Sequence, residues 1–563
     1  MPDSETRHSQ DRLPEYHRRT RRRGVNVAVY WVVRAIIQPV FHIYFRYSRL
    51  GREHIPARGP VILAANHRSF LDPFVVGCLA RRPVYFVAKQ ELFANRLVGW
   101  LLNALGAFPL RRGGSDEESM ATARELLARG EAIVIFPEGT RVRSGALGEP
   151  RRGVGRMALE SGAPVVPVAV VGSEAARRGW RIRPCRVRLR CGRPLTFPQV
   201  SSPSPKLAAD VTARIWPCVE LQWEWLGGLP PLRTAAVVGG GPMGLALAAL
   251  LARAGLTVQL GCRTAAQAEA LSTSAARDER DSMPASQRAA LDAGVRIGTV
   301  PEIEFAGVDL VVFAVPSRSL PAAVGEVGAR IGQRSAVLVA SKGLVAPLGT
   351  LPSRFVGDRV RARAVASFAG PAHADEAVAT GAAVVLATGD DAFGSQLAGV
   401  LRRAGLRVER TEDVIGAELA GCAKNAAALA AAAAGAARGP NAAGAAAAQV
   451  FGEVHDHALR AGARSRTFIG LAGTGDLVGT VLAEGSRNRR AGALLAQGVP
   501  AGQIGPLLGA TPESLDIAPL LTEVLKRAGS PHRAMSELTA LVEGRVSVEE
   551  WLEPAEPDLR HAA

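Results

Sequence analysis

Lysine is nearly missing from this basic chain. Of 68 Lys+Arg residues, set against 51 Asp+Glu for a net charge of +17, only Lys89, Lys206, Lys342, Lys424 and Lys526 are lysine. Arginine stays protonated at any working pH, so a lysine kept inside a motif is a candidate for proton exchange; Lys206 and Lys526 sit in no motif. Cysteine is sparse too. The six, at 78, 185, 191, 218, 262 and 422, form no C-x-x-C pair and do not alternate with histidine, which argues against a zinc site or disulfide framework and for a reducing cytoplasm. Aromatic residues make up 5%. Without an aromatic-basic platform or a recognition motif beside the arginines, nucleic acid is not an expected partner. A clean membrane span is also lacking: the apolar stretch from Val25 to Phe45 is interrupted by Arg34, Gln38, Pro39 and His42 and ends without an A-x-A cleavage site, whereas a span needs about 20 apolar residues.

What is present is a long, apolar, ordered-looking chain. At 563 residues, 48% hydrophobic and 21% charged, it has room for three or four domains at ~150 residues each and is not disordered. The interrupted stretch, preceded by Arg-Arg-Thr-Arg-Arg-Arg at 18–23, reads as one or two helices lying in a membrane interface. Tyr30, Trp31, Phe41 and Tyr44 would then be at the headgroups and the arginines against anionic lipid; the alternative is an amphipathic helix packed on its own domain. Boundaries are expected at 1–49 for this segment, 50–228 for a first α/β domain, 229–232 for a Gly/Pro linker, 233–412 and 413–550 for two further domains, and 551–563 for a tail.

The first domain reads as alternating strands (61–65, 84–88, 132–136, 165–171) and amphipathic helices. After its first strand comes Asn66-His67-Arg68-Ser69-Phe70-Leu71-Asp72-Pro73. An imidazole and a carboxylate five residues apart meet across a loop, so His67 can act as a general base with Asp72 fixing its tautomer; Asp72 before Pro73 is equally a good helix start. Phe136-Pro137-Glu138-Gly139-Thr140-Arg141 follows the third strand, a tight turn ending in a guanidinium, suited to a phosphate. These blocks, with Gly106-Ala107-Phe108-Pro109-Leu110-Arg111 and Val166-Pro167-Val168, resemble the glycerolipid (1-acyl-sn-glycerol-3-phosphate) acyltransferase family. The resemblance implies transfer of an acyl chain from acyl-CoA or acyl-carrier protein to a hydroxyl of glycerol 3-phosphate or lysophosphatidate, without a covalent enzyme intermediate. His67 and Asp72 would be catalytic, and Glu138, Gly139, Thr140, Arg141 and Arg111 would position the acceptor phosphate.

A second architecture opens at residue 234. Thr234–Val238, then Gly239-Gly240-Gly241-Pro242-Met243-Gly244, an Ala/Leu helix and the strand from Thr257 make the βαβ opening of a dinucleotide fold, with Gly239, Gly241, Pro242, Met243 and Gly244 around the pyrophosphate. Where an acid would hold the ribose the chain has Arg263, so NADPH is expected to be tolerated. Ser341-Lys342-Gly343, Ala423-Lys424-Asn425, Gly473-Thr474-Gly475-Asp476-Leu477 and Ser486-Arg487-Asn488-Arg489-Arg490 follow in order. This succession is similar to that of bacterial NAD(P)-dependent glycerol-3-phosphate dehydrogenase, implying a Rossmann domain followed by an all-α domain. It implies hydride transfer between NAD(P)H and dihydroxyacetone phosphate, with Lys424 as the acid, Asp476 orienting it, Lys342 assisting at substrate and cofactor, and Asn425, Thr480, Arg487 and Asn488 holding phosphate. Ala369-Gly370-Pro371-Ala372-His373 departs from the family's S-G-P-x-F, and an alanine run follows Gly439-Pro440-Asn441.

The expected whole is a fusion of two enzymes of phospholipid biosynthesis, cytoplasmic and peripheral on the inner face of the cell membrane, with NAD(P)H as cofactor, no metal, and a homodimer as one expected assembly. The alternative is an acyltransferase regulated by a non-catalytic dehydrogenase-like sensor.

Overall fold

The computed structural model describes residues 13–110, 117–142, 145–273, 283–483 and 485–553. It divides into two compact units, Met1–Pro231 and Leu232–Ala563.

The first unit is built on a twisted sheet. Its strands are β1 (Ser48–Leu50), β2 (Val61–Ala65), β3 (Val84–Lys89), β4 (Ala107–Leu110), β5 (Ala132–Ile135), β6 (Val165–Val171) and, after a small hairpin of β7 (Arg177–Arg178) and β8 (Arg181–Ile182), β9 (Arg188–Cys191). The order is β1-β9-β6-β2-β5-β3-β4, parallel except for β6 against β9. β2 and β6 are buried at every position, as expected of strands covered on both faces. In an open α/β sheet ligands gather beyond the carboxyl ends of the strands. Because β5 and β6 flank β2 in parallel, the loops that leave β2, β5 and β6 emerge side by side. Two blocks seventy residues apart in sequence thereby become neighbours.

The N-terminal segment forms two helices, Leu13–Arg23 and Val27–Tyr44. The second is 18 residues long with mean hydropathy 1.4, enough by length and composition to cross a membrane. Arg34 ties it to the domain, donating to the carbonyls of Gly77, Cys78 and Ala80. Trp31 and Tyr44 lie on the outer side with Val27, Val32, Ile36, Val40 and Ile43, whereas Tyr30 and Phe41 are buried. The placement of all four aromatics at headgroups is thus corrected: Tyr30 and Phe41 face the domain. Arg21 likewise bonds Thr122 and the Glu118 carbonyl.

The second unit carries an eight-stranded sheet of β10 (Thr234–Val238), β11 (Thr257–Cys262), β12 (Arg296–Thr299), β13 (Leu310–Phe313), β14 (Ala336–Val339), β15 (Ala364–Ala369), β16 (Ala383–Ala387) and β17 (Arg407–Thr411). Its order, β12-β11-β10-β13-β14-β15-β16-β17, reverses at β10/β13, and only β15/β16 pair antiparallel. A helical layer follows, centred on Val414–Arg438, whose alanine-rich surface is buried nearly all round. The alanine region is two helices, because Gly439 at φ +82° ends the first and Pro440 starts the second. Small side chains let neighbours approach closely: a Cβ on Gly492 would stand 2.6 Å from the Leu429 carbonyl oxygen.

Candidate functional site

In the first unit, Asp72 opens the helix Asp72–Leu79 with Pro73 behind it and is fully buried. Its Oδ2 faces His67 Nδ1 at 2.8 Å and accepts the Arg68 and Ser69 N–H groups at 2.6 Å each. The Ser173 hydroxyl, from the loop after β6, donates to Oδ1 at 2.6 Å. Four donors fix one carboxylate, so the imidazole it holds has one orientation. Phe136 stacks on that ring with centroids 4.2 Å apart. Asn66 clamps the loop to β6, exchanging hydrogen bonds with both main-chain groups of Val170.

The loop after β5 is stapled to the same place. Glu138 accepts the His67 N–H at 2.6 Å and the Gly148 N–H at 2.8 Å, and the Val142 N–H donates to the His67 carbonyl at 2.9 Å. Burial pushes the Glu138 carboxyl up to about 7, against the pull of the Gly148 and His67 N–H groups. Both Glu138 oxygens thus accept main-chain donors, one from each side of the site. Gly139 takes φ +67° at the turn, and Thr140 and Arg141 are exposed beside it. Arg111 lies outside the described residues.

Arg68, beside His67, is buried and donates to the carbonyls of Val142 and Gly145. Its guanidinium lies over the Trp223 ring at 4.4 Å. The Trp223 indole N–H in turn donates to the Leu229 carbonyl at 3.0 Å, and Gly228 packs so close that an added Cβ would fall 2.1 Å from the indole.

In the second unit a cleft of about 680 Å³ is lined by Gly241, Pro242, Met243, Lys342, Lys424, Asn425, Asp476, Thr480, Arg487 and Asn488, among others. The glycine turn fits a pyrophosphate. A Cβ on Gly244 would lie 1.8 Å from the Gly239 oxygen, so strand and helix meet without a side chain between them. A Cβ on Gly241 would meet nothing within 4 Å, and Gly241 lines the cleft at the start of the helix, where an anion is favoured. Arg263 is exposed at the end of β11.

At the far wall Asp476 stands between two lysines. Lys342 Nζ is 2.7 Å from Oδ2 and also donates to the Gly370 carbonyl at 2.9 Å; Lys424 Nζ is 3.4 Å from Oδ1 and donates to the Thr480 hydroxyl at 3.1 Å. Burial lowers the Lys424 pKa, Asp476 pulls it back up, and Lys342 lowers it further. For Asp476 burial favours the neutral acid, but Lys342 and Lys424 outweigh it and the pKa ends below the ordinary carboxylate value. Asn425 donates to the Lys342 carbonyl and accepts from Asn488, while Arg487 is exposed at the rim. A five-residue π-helical turn, Leu471–Gly475, delivers Asp476. A Cβ on Gly473 would collide with the Phe468 oxygen at 1.8 Å, so this position needs glycine.

Two contributors carry no motif in the sequence. Ser173 follows β6 but lies outside its Val166-Pro167-Val168 block. Glu513 lines the cleft, accepts the Ser317 N–H at 3.3 Å and is held above its ordinary pKa by burial; its only local signal is that it begins a helix after Pro512.

Residues 234–394 match the family model of the NAD-dependent glycerol-3-phosphate dehydrogenase N-terminus, and 413–553 that of its C-terminus. A glycerol-3-phosphate dehydrogenase (NAD(P)+) of Bradyrhizobium sp. is 31% identical over 326 residues, 57% of this chain and 95% of that protein. The chain belongs to the glycerol-3-phosphate dehydrogenase family. The dehydrogenase fold is also that of the glycerol-3-phosphate dehydrogenase of Coxiella burnetii, whose crystal structure matches at TM-score 0.50 with 25% identity, covering 57% of this chain and 100% of the other. Ahead of the dehydrogenase half the same chain carries an acyltransferase domain, since 48–171 match the Acyltransferase family model. There it is 31% identical over 133 residues to a chloroplastic 1-acyl-sn-glycerol-3-phosphate acyltransferase of Brassica napus, covering 23% of this chain and 38% of that protein.

Proposed function

We propose that the chain is a bifunctional enzyme of glycerophospholipid synthesis: it reduces dihydroxyacetone phosphate to sn-glycerol 3-phosphate and transfers an acyl group to a glycerol 3-phosphate or 1-acylglycerol 3-phosphate hydroxyl. The observation that carries the reading is the presence, on one polypeptide, of an assembled His67–Asp72 pair and an assembled Lys342–Asp476–Lys424 cluster. The second site makes the phosphorylated glycerol on which the first acts.

In the acyltransferase half, Nδ1–H bonded to Asp72 leaves Nε2 as the basic nitrogen of the neutral ring. Nε2 takes the proton of the acceptor hydroxyl as its oxygen attacks the thioester carbonyl, and the thiolate released when the C–S bond breaks takes that proton from the imidazolium. Asp72 stabilises the imidazolium between these steps. Arg141 and Thr140, exposed at the adjacent turn, suit the acceptor phosphate.

In the dehydrogenase half the glycine turn and the start of the helix Pro242–Arg253 hold NAD(P)H, with Arg263 toward the adenine ribose. The hydride comes from the reduced nicotinamide when it is bound. Lys424 gives a proton to the carbonyl oxygen, a task suited to an ammonium whose pKa burial has brought down. Asp476 keeps Lys424 oriented, Lys342 offsets the carboxylate charge, and Arg487, Asn488, Asn425 and Thr480 receive the phosphate. A regulatory sensor has no need of a proton donor so arranged, which favours the catalytic reading.

The outward apolar stripe of the helix Val27–Tyr44, with Arg18, Arg22 and Arg23 exposed before it, suits a chain seated on an anionic membrane surface. The test is to supply purified protein with NADPH, dihydroxyacetone phosphate and acyl-CoA or acyl-carrier protein, with separate arms given glycerol 3-phosphate and 1-acylglycerol 3-phosphate, and to identify the lipids formed. Cofactor oxidation without any acylated product, or the reverse, would remove one half of the proposal.

A further inference from the structure

The segment after β6 does something the two activities do not account for. From Arg177 to Arg193 it carries eight arginines and no acidic residue. The structure folds its first part into the hairpin β7–β8, closed by Arg178 pairing with Arg181. At the turn Trp180 is 80% exposed and next to it Ile182 is 52% exposed. Arg177, Arg181, Arg183 and Arg186 are exposed around them, and the Arg181 guanidinium lies over the Trp180 ring at 5.1 Å. A tryptophan and an isoleucine held out into water by a two-stranded turn add nothing to the core. Their cost is offset only when something covers them.

Three contacts root this hairpin. Ser173, four residues before it, donates to Asp72; Arg177 lies over the Phe70 ring at 5.8 Å; and the Tyr44 hydroxyl donates to the Ile182 carbonyl at 3.1 Å. The first two tie its base to the loop that holds His67. The third ties its second strand to the end of the helix whose outer face is the apolar stripe, so the hairpin adjoins that stripe.

We infer that the hairpin Arg177–Arg183 is a membrane-docking finger: Trp180 and Ile182 enter the interfacial layer of an anionic bilayer, and Arg177, Arg181 and Arg183 bind its phosphate headgroups. An amphipathic ring flanked by guanidinium groups is the chemistry of the lipid–water boundary. Because Ser173 just ahead of it bonds Asp72 and Arg177 at its base lies over Phe70, docking there also brings the His67 loop to the lipid surface. The binding claim stands without any assumption about catalysis; its link to acyl transfer rests on the function proposed above.

The full chain should be sedimented with vesicles of phosphatidylglycerol and phosphatidylcholine, comparing Trp180→Ser, the double variant Arg181→Gln/Arg183→Gln and Trp225→Ser, an exposed tryptophan outside the hairpin. Trp180→Ser is expected to lower partitioning about tenfold or more. The double variant should lower it about fivefold per arginine on phosphatidylglycerol vesicles only, while Trp225→Ser leaves it unchanged. Unaltered thermal melting establishes that the variants are folded. Equal partitioning of Trp180→Ser and the unmodified chain overturns the proposal. So does a loss of the same size in Trp225→Ser, or binding of a single-stranded oligonucleotide that falls in parallel with vesicle binding in the double variant. In acyl-transfer assays, Trp180→Ser and the double variant should lose activity on vesicle-embedded lysophosphatidate and keep it on a short-chain, monomeric acceptor, while Trp225→Ser keeps both. Absence of acyl transfer in every protein refutes the enzyme reading alone and leaves the sedimentation result to decide the finger.

Discussion

Replacing Lys424 with arginine separates proton donation from mere charge. Nζ has two partners, the Thr480 hydroxyl at 3.1 Å and Asp476 Oδ1 at 3.4 Å, and only 7% of the residue is exposed. Arginine keeps the positive charge beside Asp476, so a role limited to neutralising that carboxylate would survive the change. Proton donation would not, because a guanidinium with a pKa above ~12 does not give up its proton near neutrality. A positioned general acid is worth ~10²–10⁴ in rate, or about 3–5 kcal/mol at ~1.36 kcal/mol per tenfold, and kcat for NAD(P)H oxidation with dihydroxyacetone phosphate should fall by that range. Arg487→Lys is the matching control at the rim of the cleft. A point charge there replaces a bidentate fork, so KM for dihydroxyacetone phosphate should rise with kcat little changed. Steady-state kinetics on the full chain reads both. Lys424→Arg with kcat within about threefold of the unmodified enzyme would refute the acid assignment and move the donor to Lys342.

Three further outcomes follow from the geometry. His67→Ala should abolish acyl transfer and leave NAD(P)H oxidation intact, since the two sites lie in separate units; loss of both in a folded variant would contradict that division. Arg263→Asp should move cofactor preference from NADPH toward NADH, read as the ratio of kcat/KM values. Glu418 is buried with its carboxyl pushed up to about 7, burial outweighing the hydrogen bonds from Ser353. A carboxyl raised on folding stabilises the fold fully below its unfolded pKa and loses that contribution as pH rises through about 7. The melting temperature of the dehydrogenase half should therefore fall between about pH 5 and 8 through a change on the order of 3 kcal/mol, and Glu418→Gln should flatten that slope.

Strands and the glycine turn are legible in the sequence because apolar runs such as Val61–Ala65 and Thr234–Val238 have no competing helical period. The joining of His67 to Asp72 is legible as well, being a matter of five residues of loop. What escapes is set by strand order. Nothing in the local pattern says that β6 lies beside β2, so the contribution of Ser173 to Asp72 is invisible until the sheet is assembled. Glu138 shows a related limit: its motif announces a turn and a charge, but not that the carboxylate accepts from the His67 and Gly148 amides. Tyr30 and Phe41 show the limit of composition, for an apolar helix with one arginine gives no sign of which face that arginine will pin down. Glu513 lies nearly ninety residues beyond Lys424 and reaches the cleft only because its helix packs on Val414–Arg438.

The stack of Arg68 on Trp223, and of Trp223 on Gly228, has a bearing on how the fusion can be taken apart. The acyltransferase half does not finish where its last helix does. It finishes at Leu229, whose carbonyl holds the indole that covers the arginine next to His67. A separately expressed N-terminal protein ending at Leu226 would keep every motif residue and lose the brace behind them, whereas one ending at Pro231 keeps both. An insertion after Leu229 would leave this brace intact, whereas Gly227 and Gly228 before it belong to the support behind Arg68, and a longer or stiffer joint placed there should disturb the loop that holds His67.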